Sequence, residues 1–274
     1  MSIFQLNFEG HDKVKAAIEF IKTFEPQEGY YLAFSGGKDS VVCKALLEMS
    51  GVKFDSHYAV TTVDPPELIS FIRENHKSVK FHYPERSMWK LVEEKLMPPT
   101  RVVRYCCQEL KEEGGEGRFI VTGVRRAESS KRAGRKGVEF DSYGSKGKKA
   151  NENREIFLNS DNDEKRRMIE SCVIKGKNIM NPIIDWSDQE VWEFIHNFNI
   201  PYCKLYDEVF KRLGCIGCPL GGKHNMKKEF QRWPKYKSNY TKAFDRMIKN
   251  RNKQGLETEW LTGEEVMTWW IGKS

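Results

Sequence analysis

The sequence predicts an α/β protein with a parallel twisted sheet, followed by a helical C-terminal region. Apolar runs of strand length alternate with amphipathic helical stretches over the first 200 residues, which is typical of β-α-β units. Glycine turns separate strands from the helices that follow them. From residue 222 onward, apolar and aromatic side chains recur at helical spacing. We therefore assign residues 1–200 to an α/β domain and residues 201–274 to a helical region.

The individual elements follow from apolar periodicity and from helix-start signals. Asp64 followed by two prolines indicates a helix start, and capping boxes at 187–190 and 262–265 indicate two more. A short helix is expected directly after the adjacent Cys106 and Cys107. Predicted strands lie at residues 30–34, 53–60, 79–83, 118–123 and 179–184. The helix that starts near Asp64 is expected to end at about residue 76, and the helix at the first capping box covers 187–198. Further helices are predicted at 11–24, directly after residue 37, at 87–96 and after residue 222. Residues 131–167 lack periodicity and are rich in glycine and charge, so a mobile basic loop is expected there.

The composition excludes several classes of protein. The 274 residues are 31% charged and carry a formal net charge of +7, which favours anionic partners. No apolar run is long enough to span a bilayer, and no signal peptide is visible, so we expect a cytoplasmic protein without a membrane partner. Seven cysteines in such a protein favour metal or redox chemistry over a disulfide framework.

The turn at residues 35–40 is the strongest candidate for a binding site. An apolar strand runs into Ser-Gly-Gly-Lys-Asp-Ser, and a helix follows. Glycines let the backbone approach a ligand closely, and the N–H groups at a helix start favour an anion. Lys38 adds a mobile positive charge. The sequence therefore predicts a phosphate site at this turn.

The string resembles the PP-loop of the ATP pyrophosphatase superfamily, whose members have the adenine nucleotide α-hydrolase fold. It does not have the spacing of a Walker A motif. The resemblance implies that an adenine nucleotide such as ATP binds here, with cleavage between its α- and β-phosphates, and that Lys38 and Asp39 are catalytic, with Asp39 assisting Mg²⁺. The implied nucleotide-binding residues are Ser35, Gly36, Gly37, Lys38, Asp39 and Ser40.

Two further segments are expected at the same edge of the sheet, since ligands collect at the carboxyl ends of parallel strands. Thr62 and Asp64 follow the second predicted strand. Residues 122–132 follow a later strand and resemble the family's second nucleotide segment, which implies roles for Gly123, Arg125 and Arg132. An arginine side chain pairs well with phosphate or sulfate oxygens.

The cysteines form two pairs, one adjacent pair and one Cys-x-x-Cys pair at Cys215 and Cys218. The second pair suits zinc, an iron–sulfur cluster or a redox disulfide. The whole pattern resembles the adenylyl-sulfate reductases of the phosphoadenosine phosphosulfate reductase family. That resemblance implies a [4Fe–4S] cluster on Cys106, Cys107, Cys215 and Cys218, with Cys172 as a candidate to replace one of the adjacent pair; structural zinc and free thiols are the alternatives. Sulfonucleotide reductases use a cysteine in a later segment, and no cysteine follows Cys218 in this sequence.

The resemblance favours an ATP pyrophosphatase-type transferase with an iron–sulfur cluster that activates an acceptor for sulfur transfer. The basic stretch at 131–149 makes nucleic acid a candidate acceptor, and a sulfur-donor protein is a candidate partner. Three alternatives remain open. The first is a sulfonucleotide reductase that uses a non-standard or partner thiol, the second is a non-catalytic nucleotide and redox sensor, and the third is a nucleic-acid-binding protein with an idle PP-loop.

Overall fold

We describe a computed structural model, which covers residues 12–111, 114–129, 132–139, 178–208 and 210–272. The chain divides into two compact units that are each discontinuous in sequence. Unit 1 consists of Met1–Tyr58, Ser70–Lys80 and Gly115–Arg212, and unit 2 consists of Ala59–Ile69, Phe81–Gly114 and Leu213–Ser274. The boundaries of the two units therefore differ from the predicted division near residue 200, because the segments Ala59–Ile69 and Phe81–Gly114 belong to unit 2 together with the C-terminal helices.

The sheet has six strands in the described residues, in the order β3-β2-β1-β4-β6-β5. The strands are β1 (Tyr30–Ala33), β2 (Phe54–Ala59), β3 (Lys80–His82), β4 (Phe119–Val121), β5 (Val138–Glu139) and β6 (Asn178–Met180). β1 pairs in parallel with β2 and β4, and β4 pairs in parallel with β6. The predicted α/β class with a parallel sheet is confirmed.

The antiparallel edge strand β5 was not expected. It lies within residues 131–167, where the sequence predicts a loop, and it pairs with β6. Val138 and Glu139 are both buried, and the amide nitrogen of Asn181 donates to the carbonyl of Gly137 at 2.7 Å. Two residues are too few to give a periodic signal, so the strand is set by its partner. The rest of the predicted loop lies outside the described residues, apart from 132–137.

Helices in unit 1 pack around a core of large apolar side chains. The helices α1 (Lys13–Thr23) and α2 (Lys38–Ser50) belong to unit 1, as does α6 (Asp188–Asn197), which follows β6. The helix α3 (Pro66–Asn75) belongs to unit 1 only from Ser70 onward. The residues Ile21, Phe24, Tyr30, Leu32, Leu46 and Phe194 are fully or almost fully buried. α2 packs against both α1 and α6. This packing fixes the start of α2, where the candidate phosphate site lies.

Unit 2 is mainly helical. It contains α4 (Met88–Lys95), α5 (Tyr105–Lys111), α7 (Lys223–Arg232), α8 (Pro234–Lys253) and α9 (Gly263–Ile271). The aromatic residues Phe230, Trp233, Tyr240 and Phe244 of the predicted helical stretch are buried, and Tyr236 is half-buried. These observations confirm the helical C-terminal region. α5 begins at Tyr105 and so includes Cys106 and Cys107, whereas the sequence placed the helix after them. No helix in the described residues is long and apolar enough to cross a membrane.

Candidate functional site

The turn after β1 is held in shape by its own two serines. The Ser40 hydroxyl donates to the carbonyl of Gly37 at 2.8 Å and accepts from the amide nitrogen of Ser35 at 3.2 Å. The Ser35 hydroxyl lies 3.1 Å from that of Ser40. Gly36 has a φ of +71°, a conformation that favours glycine. The turn is therefore preformed, and both hydroxyls predicted to bind the nucleotide already have structural partners.

α2 starts directly after this turn without a side-chain cap. Gly37 is the residue before the helix and makes no capping hydrogen bond from a side chain. The first N–H groups of a helix lack intrahelical partners and carry partial positive charge. The hydroxyl of Tyr206 accepts a hydrogen bond from the amide nitrogen of Lys38 at 3.0 Å. An uncharged oxygen therefore lies at the position where the sequence predicts an anion.

The turn lies at the point where the strand order of the sheet reverses. β1 has β2 on one side and β4 on the other, and the chain leaves β1 into the turn at 34–37 and leaves β4 into residues 122–125. Ligands in open parallel sheets bind in the crevice at such a switch point. The expectation that residues 35–40 and 123–126 lie together is met within unit 1.

Gly123 brings the end of β4 close to the start of α2. A Cβ atom at this position would lie 2.8 Å from the carbonyl carbon of Asp39 and 2.9 Å from its Cβ. Real Cβ atoms do not approach backbone so closely, so only glycine fits without a shift. The structure thus gives Gly123 a packing function, and its predicted contact with a nucleotide stays a prediction.

Two cations and two carboxylates form a compact network at the same place. Nε of Arg125 donates to Oδ1 of Asp39 at 2.7 Å, and Nη2 of Arg125 donates to Oδ1 of Asp188 at 3.0 Å. Nζ of Lys38 lies 3.1 Å from the same oxygen of Asp188 and 3.5 Å from Oδ2 of Asp39. The predicted residues Lys38, Asp39 and Arg125 are therefore brought together.

Burial differs sharply within this network. The side chains of Lys38 and Arg125 are 7% and 3% exposed, whereas that of Asp188 is 65% exposed. Partial burial raises the pKa of Asp188, but hydrogen bonds and positive charge from Lys38 and Arg125 outweigh this and lower the pKa overall. Asp188 is thus an ionised, solvent-facing carboxylate that bridges two buried cations. An incoming phosphate could occupy the same position.

Asp188 and Tyr206 were missed as site residues. The sequence placed Asp188 in a capping box, and the structure confirms that box at the start of α6, with Ser187 as the cap. An acidic residue in the first turn of a helix is already explained by its favourable interaction with the helix dipole, so nothing in the sequence indicated a binding function for Asp188. No spacing rule connects either residue to Lys38, because tertiary packing makes the contact. The aromatic ring of Tyr206 also lies under Lys38, with Nζ 5.8 Å from the ring centroid.

Arg132 is engaged in a local ion pair. Its Nη1 donates to the carboxylate of Glu128, one turn earlier in the chain. Arg135 pairs with Glu139 at 2.5 Å. Two of the cations of the predicted basic loop are therefore already neutralised by neighbours. The nucleotide contact of Arg132 stays a prediction, as does nucleic-acid binding by residues 131–149.

Thr62 and Asp64 belong to unit 2, where they shape a buried turn. The Asp64 carboxylate accepts hydrogen bonds from the amide and the hydroxyl of Thr61, both at 2.7 Å. The hydroxyl of Thr62 accepts from the amide nitrogen of Met88 at 2.9 Å. Thr62 has a φ of +65°, an uncommon conformation for a residue with a branched side chain. Both side chains therefore stabilise this turn, and their predicted nucleotide contacts stay predictions.

The same turn supports the Cys-x-x-Cys loop. The amide of Ile216 donates to the carbonyl of Val63 at 2.8 Å, and Sγ of Cys215 lies 3.4 Å from Oγ1 of Thr61. Gly217 has a φ of +76°, and a Cβ there would lie 2.6 Å from the ring of Phe230. The loop is thus fixed by hydrogen bonds and by tight packing before any ligand is considered.

The charges of four thiols in unit 2 interact with one another. The pKa of the Cys106 thiol is raised, first by its hydrogen bond with Cys107 and by burial, and then by the charges of Cys107, Cys215 and Cys218. The pKa of Cys107 is lowered, first by that hydrogen bond, and burial only partly opposes the effect. Lys111 is a nearby cation, and its pKa is raised chiefly by Cys215. The two cysteine pairs that the sequence singled out therefore lie in the same unit, near enough for their charges to interact.

Within the described ranges, no group of three or more His, Cys, Asp or Glu side chains is arranged to hold a metal ion. The fifth candidate ligand, Cys172, lies outside those ranges. Cys43 and Cys203 are buried, and free cysteines in such positions behave as small apolar residues. The [4Fe–4S] cluster and its ligands therefore stay predictions, as does the preference for a cluster over a single zinc ion.

Comparison with known proteins gives one family. A family model described as a phosphoadenosine phosphosulfate reductase domain matches residues 29–221. An uncharacterized protein of Methanocaldococcus jannaschii is 29% identical over 241 residues, which is 81% of this chain and 44% of that relative. Adenosine 5′-phosphosulfate reductase of Staphylococcus epidermidis is 29% identical over 98 residues, 36% of this chain and 28% of the relative. The chain thus spans less than half the length of these two relatives.

A search of solved structures finds a phosphate complex of phosphoadenylyl-sulfate reductase from Candida auris. Its sequence is 14% identical to this chain, the alignment covers 73% of this chain and 88% of that one, and the TM-score is 0.47.

Proposed function

This chain belongs to the phosphoadenosine phosphosulfate reductase domain family, and from that premise we propose that it is an adenine nucleotide-binding enzyme of the ATP pyrophosphatase type. In this proposal the phosphates bind at the turn after β1, between the amide groups at the start of α2 and the side chains of Lys38 and Arg125. The observation that carries the proposal is the pair of buried cations at the switch point of the sheet, bridged by the exposed carboxylate of Asp188.

The arrangement suits phosphate binding for electrostatic reasons. The two buried cations must keep negative partners, because an unpaired buried charge is costly. A phosphate group can take the place of the exposed Asp188 carboxylate as one of these partners. A pyrophosphate group supplies several oxygens that can accept hydrogen bonds from Lys38, from Arg125 and from the turn amides at once. Arg125 is held by Asp39 and by the carbonyl of Trp186, 3.2 Å from its Nη1. Its guanidinium group is therefore preorganised, which reduces the cost of binding.

The proposed reaction is nucleotidyl transfer. An oxygen of the acceptor forms a bond to the α-phosphorus of ATP, the bond from that phosphorus to the bridging oxygen breaks, and pyrophosphate leaves with the bonding electrons. Lys38 would stabilise the charge that develops on the leaving group, as would the amide groups at the start of α2. A nucleophilic sulfur of the donor protein would then form a bond to the acceptor atom that carries the adenylated oxygen, and AMP would leave with that oxygen and the bonding electrons.

Asp39 fits magnesium poorly in this arrangement. Both of its oxygens face cations, since Oδ1 accepts from Arg125 and Oδ2 lies 3.5 Å from Lys38. Because both oxygens of the Asp39 carboxylate already contact Arg125 and Lys38, Asp39 is better suited to positioning these two side chains than to binding a magnesium ion. Magnesium remains part of the proposal only as an ion that neutralises phosphate charge, and no step depends on it.

Cys106, Cys107, Cys215 and Cys218 would hold the proposed [4Fe–4S] cluster, with Cys172 as an alternative ligand. The support for this donor set is that four thiols of unit 2, two on helix α5 and two in the Cys-x-x-Cys loop, interact through their charges. Lys111 would offset part of the negative charge of the thiolates. When bound, such a cluster supplies one-electron redox chemistry or a rigid structural link.

A sulfonucleotide reductase is the second candidate function, favoured by the similarity to the Staphylococcus reductase. It would need a thiol from Cys172, from Cys203 or from a partner protein. Cys203 is buried, which disfavours it as a nucleophile.

One experiment separates these functions. The protein, purified without oxygen, is incubated either with ATP or with adenosine 5′-phosphosulfate and a thiol reductant. Release of pyrophosphate from ATP supports the proposal, and release of sulfite from the second substrate supports the reductase. Tight nucleotide binding without either product would support a nucleotide sensor. Nucleic acid is the acceptor to add first, because of the basic residues at 131–149.

A further inference from the structure

The helices α7 and α8 carry an unusual concentration of positive charge. Residues 223–253 contain eleven lysines and arginines and two acidic residues, whereas the net charge of the whole chain is +7. The remaining residues together are therefore slightly acidic. Unit 2 has a strongly basic surface that the proposed nucleotide chemistry does not use.

The charges are ordered along one face of α8. Five exposed cations of this helix, which we call the stripe, fall within about 60° of the helix circumference at 100° per residue. They extend over roughly 27 Å, at 1.5 Å per residue. The stripe consists of Lys235, Lys242, Arg246, Lys249 and Lys253, which are all exposed.

The opposite face of α8 forms the helical core. Tyr240, Ala243, Phe244, Met247 and Ile248 are buried there, and α8 packs against α4 and α9. Among the described residues of α8, no large apolar side chain is left exposed. A helix that binds a membrane surface needs an exposed apolar face to insert, so α8 has the wrong pattern for a lipid surface.

Most of the stripe has no ion-pair partner among the described residues. Arg246 pairs with Glu93 on α4. In the part of the chain that the structure describes, Lys235, Lys242, Lys249 and Lys253 form no ion pair. Ordinary solvated surfaces mix both signs of charge. Like charges at i and i+4, such as Lys242 with Arg246, disfavour a helix, and an anion lying along the face would remove this repulsion.

We propose that the stripe on α8 binds the phosphate backbone of a nucleic acid. A line of lysines suits a repeating anion, because each ammonium group can contact one phosphate and release its counterion. Contacts to phosphates carry no sequence information, so binding through the stripe would be independent of sequence. The stripe consists of other residues than 131–149, and the proposal does not depend on the proposed nucleotide chemistry.

The test compares two variants of equal charge. The first is Lys235→Gln/Lys242→Gln/Lys249→Gln on the stripe. The control is Lys15→Gln/Lys53→Gln/Lys77→Gln, which removes three exposed lysines of unit 1. Glutamine keeps helix propensity close to that of lysine, and both variants lower the net charge by the same amount. Circular dichroism confirms that both variants fold.

Binding is measured by fluorescence anisotropy in the absence of nucleotide, with duplex DNA of about 20 base pairs, which is longer than the stripe at 3.4 Å per base pair. Single-stranded RNA and vesicles containing phosphatidylserine are titrated in parallel. We expect the stripe variant to bind nucleic acid at least tenfold more weakly than wild type. The slope of log K against log salt should also become shallower by about 0.9 for each phosphate of the duplex that the variant no longer neutralises.

The control variant should retain most of the wild-type affinity. Equal reductions of affinity in both variants would overturn the proposal, since net charge alone would then explain binding. Binding to the vesicles without binding to either nucleic acid would also overturn it. No binding by the wild type at about 50 mM salt, where such contacts are strongest, would be equally decisive. Nucleotide turnover plays no part in the readout, so failure here is distinct from failure of the proposed enzyme activity.

Discussion

Oδ1 of Asp188 lies 3.1 Å from Nζ of Lys38, and the same oxygen accepts a hydrogen bond from Arg125 at 3.0 Å. A single exposed carboxylate oxygen thus contacts both cations of the candidate site. Phosphate oxygens are expected to compete with it, because they seek the same donors.

The first prediction is that Asp188→Asn increases affinity for pyrophosphate. The change removes a negative charge that competes with the ligand for the two buried cations. Asp188 is mostly exposed, so the effect is screened by solvent. We expect a gain of about 1 kcal/mol, or roughly fivefold in Kd, measured by isothermal titration calorimetry.

Asp185→Asn is the matched control, because Asp185 is equally exposed and pairs with Arg126 outside this network. It should leave pyrophosphate affinity unchanged. Weaker binding by Asp188→Asn would mean that the carboxylate helps to hold the ligand, and that the competition described above does not occur.

The second prediction concerns Gly123. Gly123→Ala places a methyl group 2.8 Å from the backbone of Asp39, so β4 and α2 must move apart. Overpacking of this kind costs about 1–3 kcal/mol, and we expect the free energy of unfolding in urea to fall by about 2 kcal/mol. Gly134→Ala is the control, because no atom of the described residues lies within 4 Å of its added Cβ. Equal stability of the Gly123 variant and wild type would contradict the packing function.

The third prediction is a pH dependence of stability that arises from His76. Burial lowers the pKa of His76 from 6.5 to about 4, with a smaller effect from Lys44. Its Nε2 has no hydrogen-bond partner among the described residues, and its ring packs against Phe34 and Phe71. The unfolded chain therefore binds a proton at higher pH than the folded protein. Stability is lost as the pH falls from about 6.5 to about 4, and the loss levels off below that.

The loss attributable to His76 reaches roughly 3 kcal/mol at low pH, because each pKa unit corresponds to about 1.36 kcal/mol. Urea unfolding at several pH values measures it. His76→Phe keeps an aromatic ring and should flatten the pH dependence, whereas His224→Gln at an exposed position should not. An unchanged slope in the His76 variant would show that other groups cause the pH effect.

The fourth prediction concerns the proposed cluster. Protein made without oxygen should be brown and contain iron and sulfide in the ratio of a four-iron cluster. Cys215→Ser and Cys218→Ser should lose the iron, and Cys43→Ser should keep it, because Cys43 is a buried residue of unit 1. Stoichiometric zinc without iron in the wild type would rule the cluster out.

The sequence predicted the fold well where local signals were strong. The glycine turn after β1, the capping box before α6 and the aromatic spacing of α7 and α8 each specify an element by themselves. β5 could not be predicted, because two residues pair with β6 only after the chain has folded. Residues 59–69 and 81–114 join unit 2 for a similar reason, since no local pattern reveals which core an element enters.

The candidate site was predicted in part. Lys38, Asp39 and Arg125 were identified by resemblance, and the structure brings them together. Asp188 and Tyr206 were missed, because their contacts with Lys38 depend on how α6 and the residues after it pack against α2. The burial of Lys38 was also unexpected. A lysine at the start of a helix is normally solvated, but Lys38 is enclosed by two carboxylates and an aromatic ring.

The most direct test of the central claim is calorimetric titration of pyrophosphate into wild type and Lys38→Ala. Removal of a charge-assisted hydrogen bond costs about 1.5–3 kcal/mol, so we expect Kd to rise by roughly one to two orders of magnitude. Lys15→Ala, an exposed lysine on α1, should bind as wild type does, and thermal unfolding shows that each variant is folded. Weaker binding in Lys38→Ala alone is the predicted result. Equal affinities of Lys38→Ala and wild type would contradict the assignment of the turn after β1 as the phosphate site.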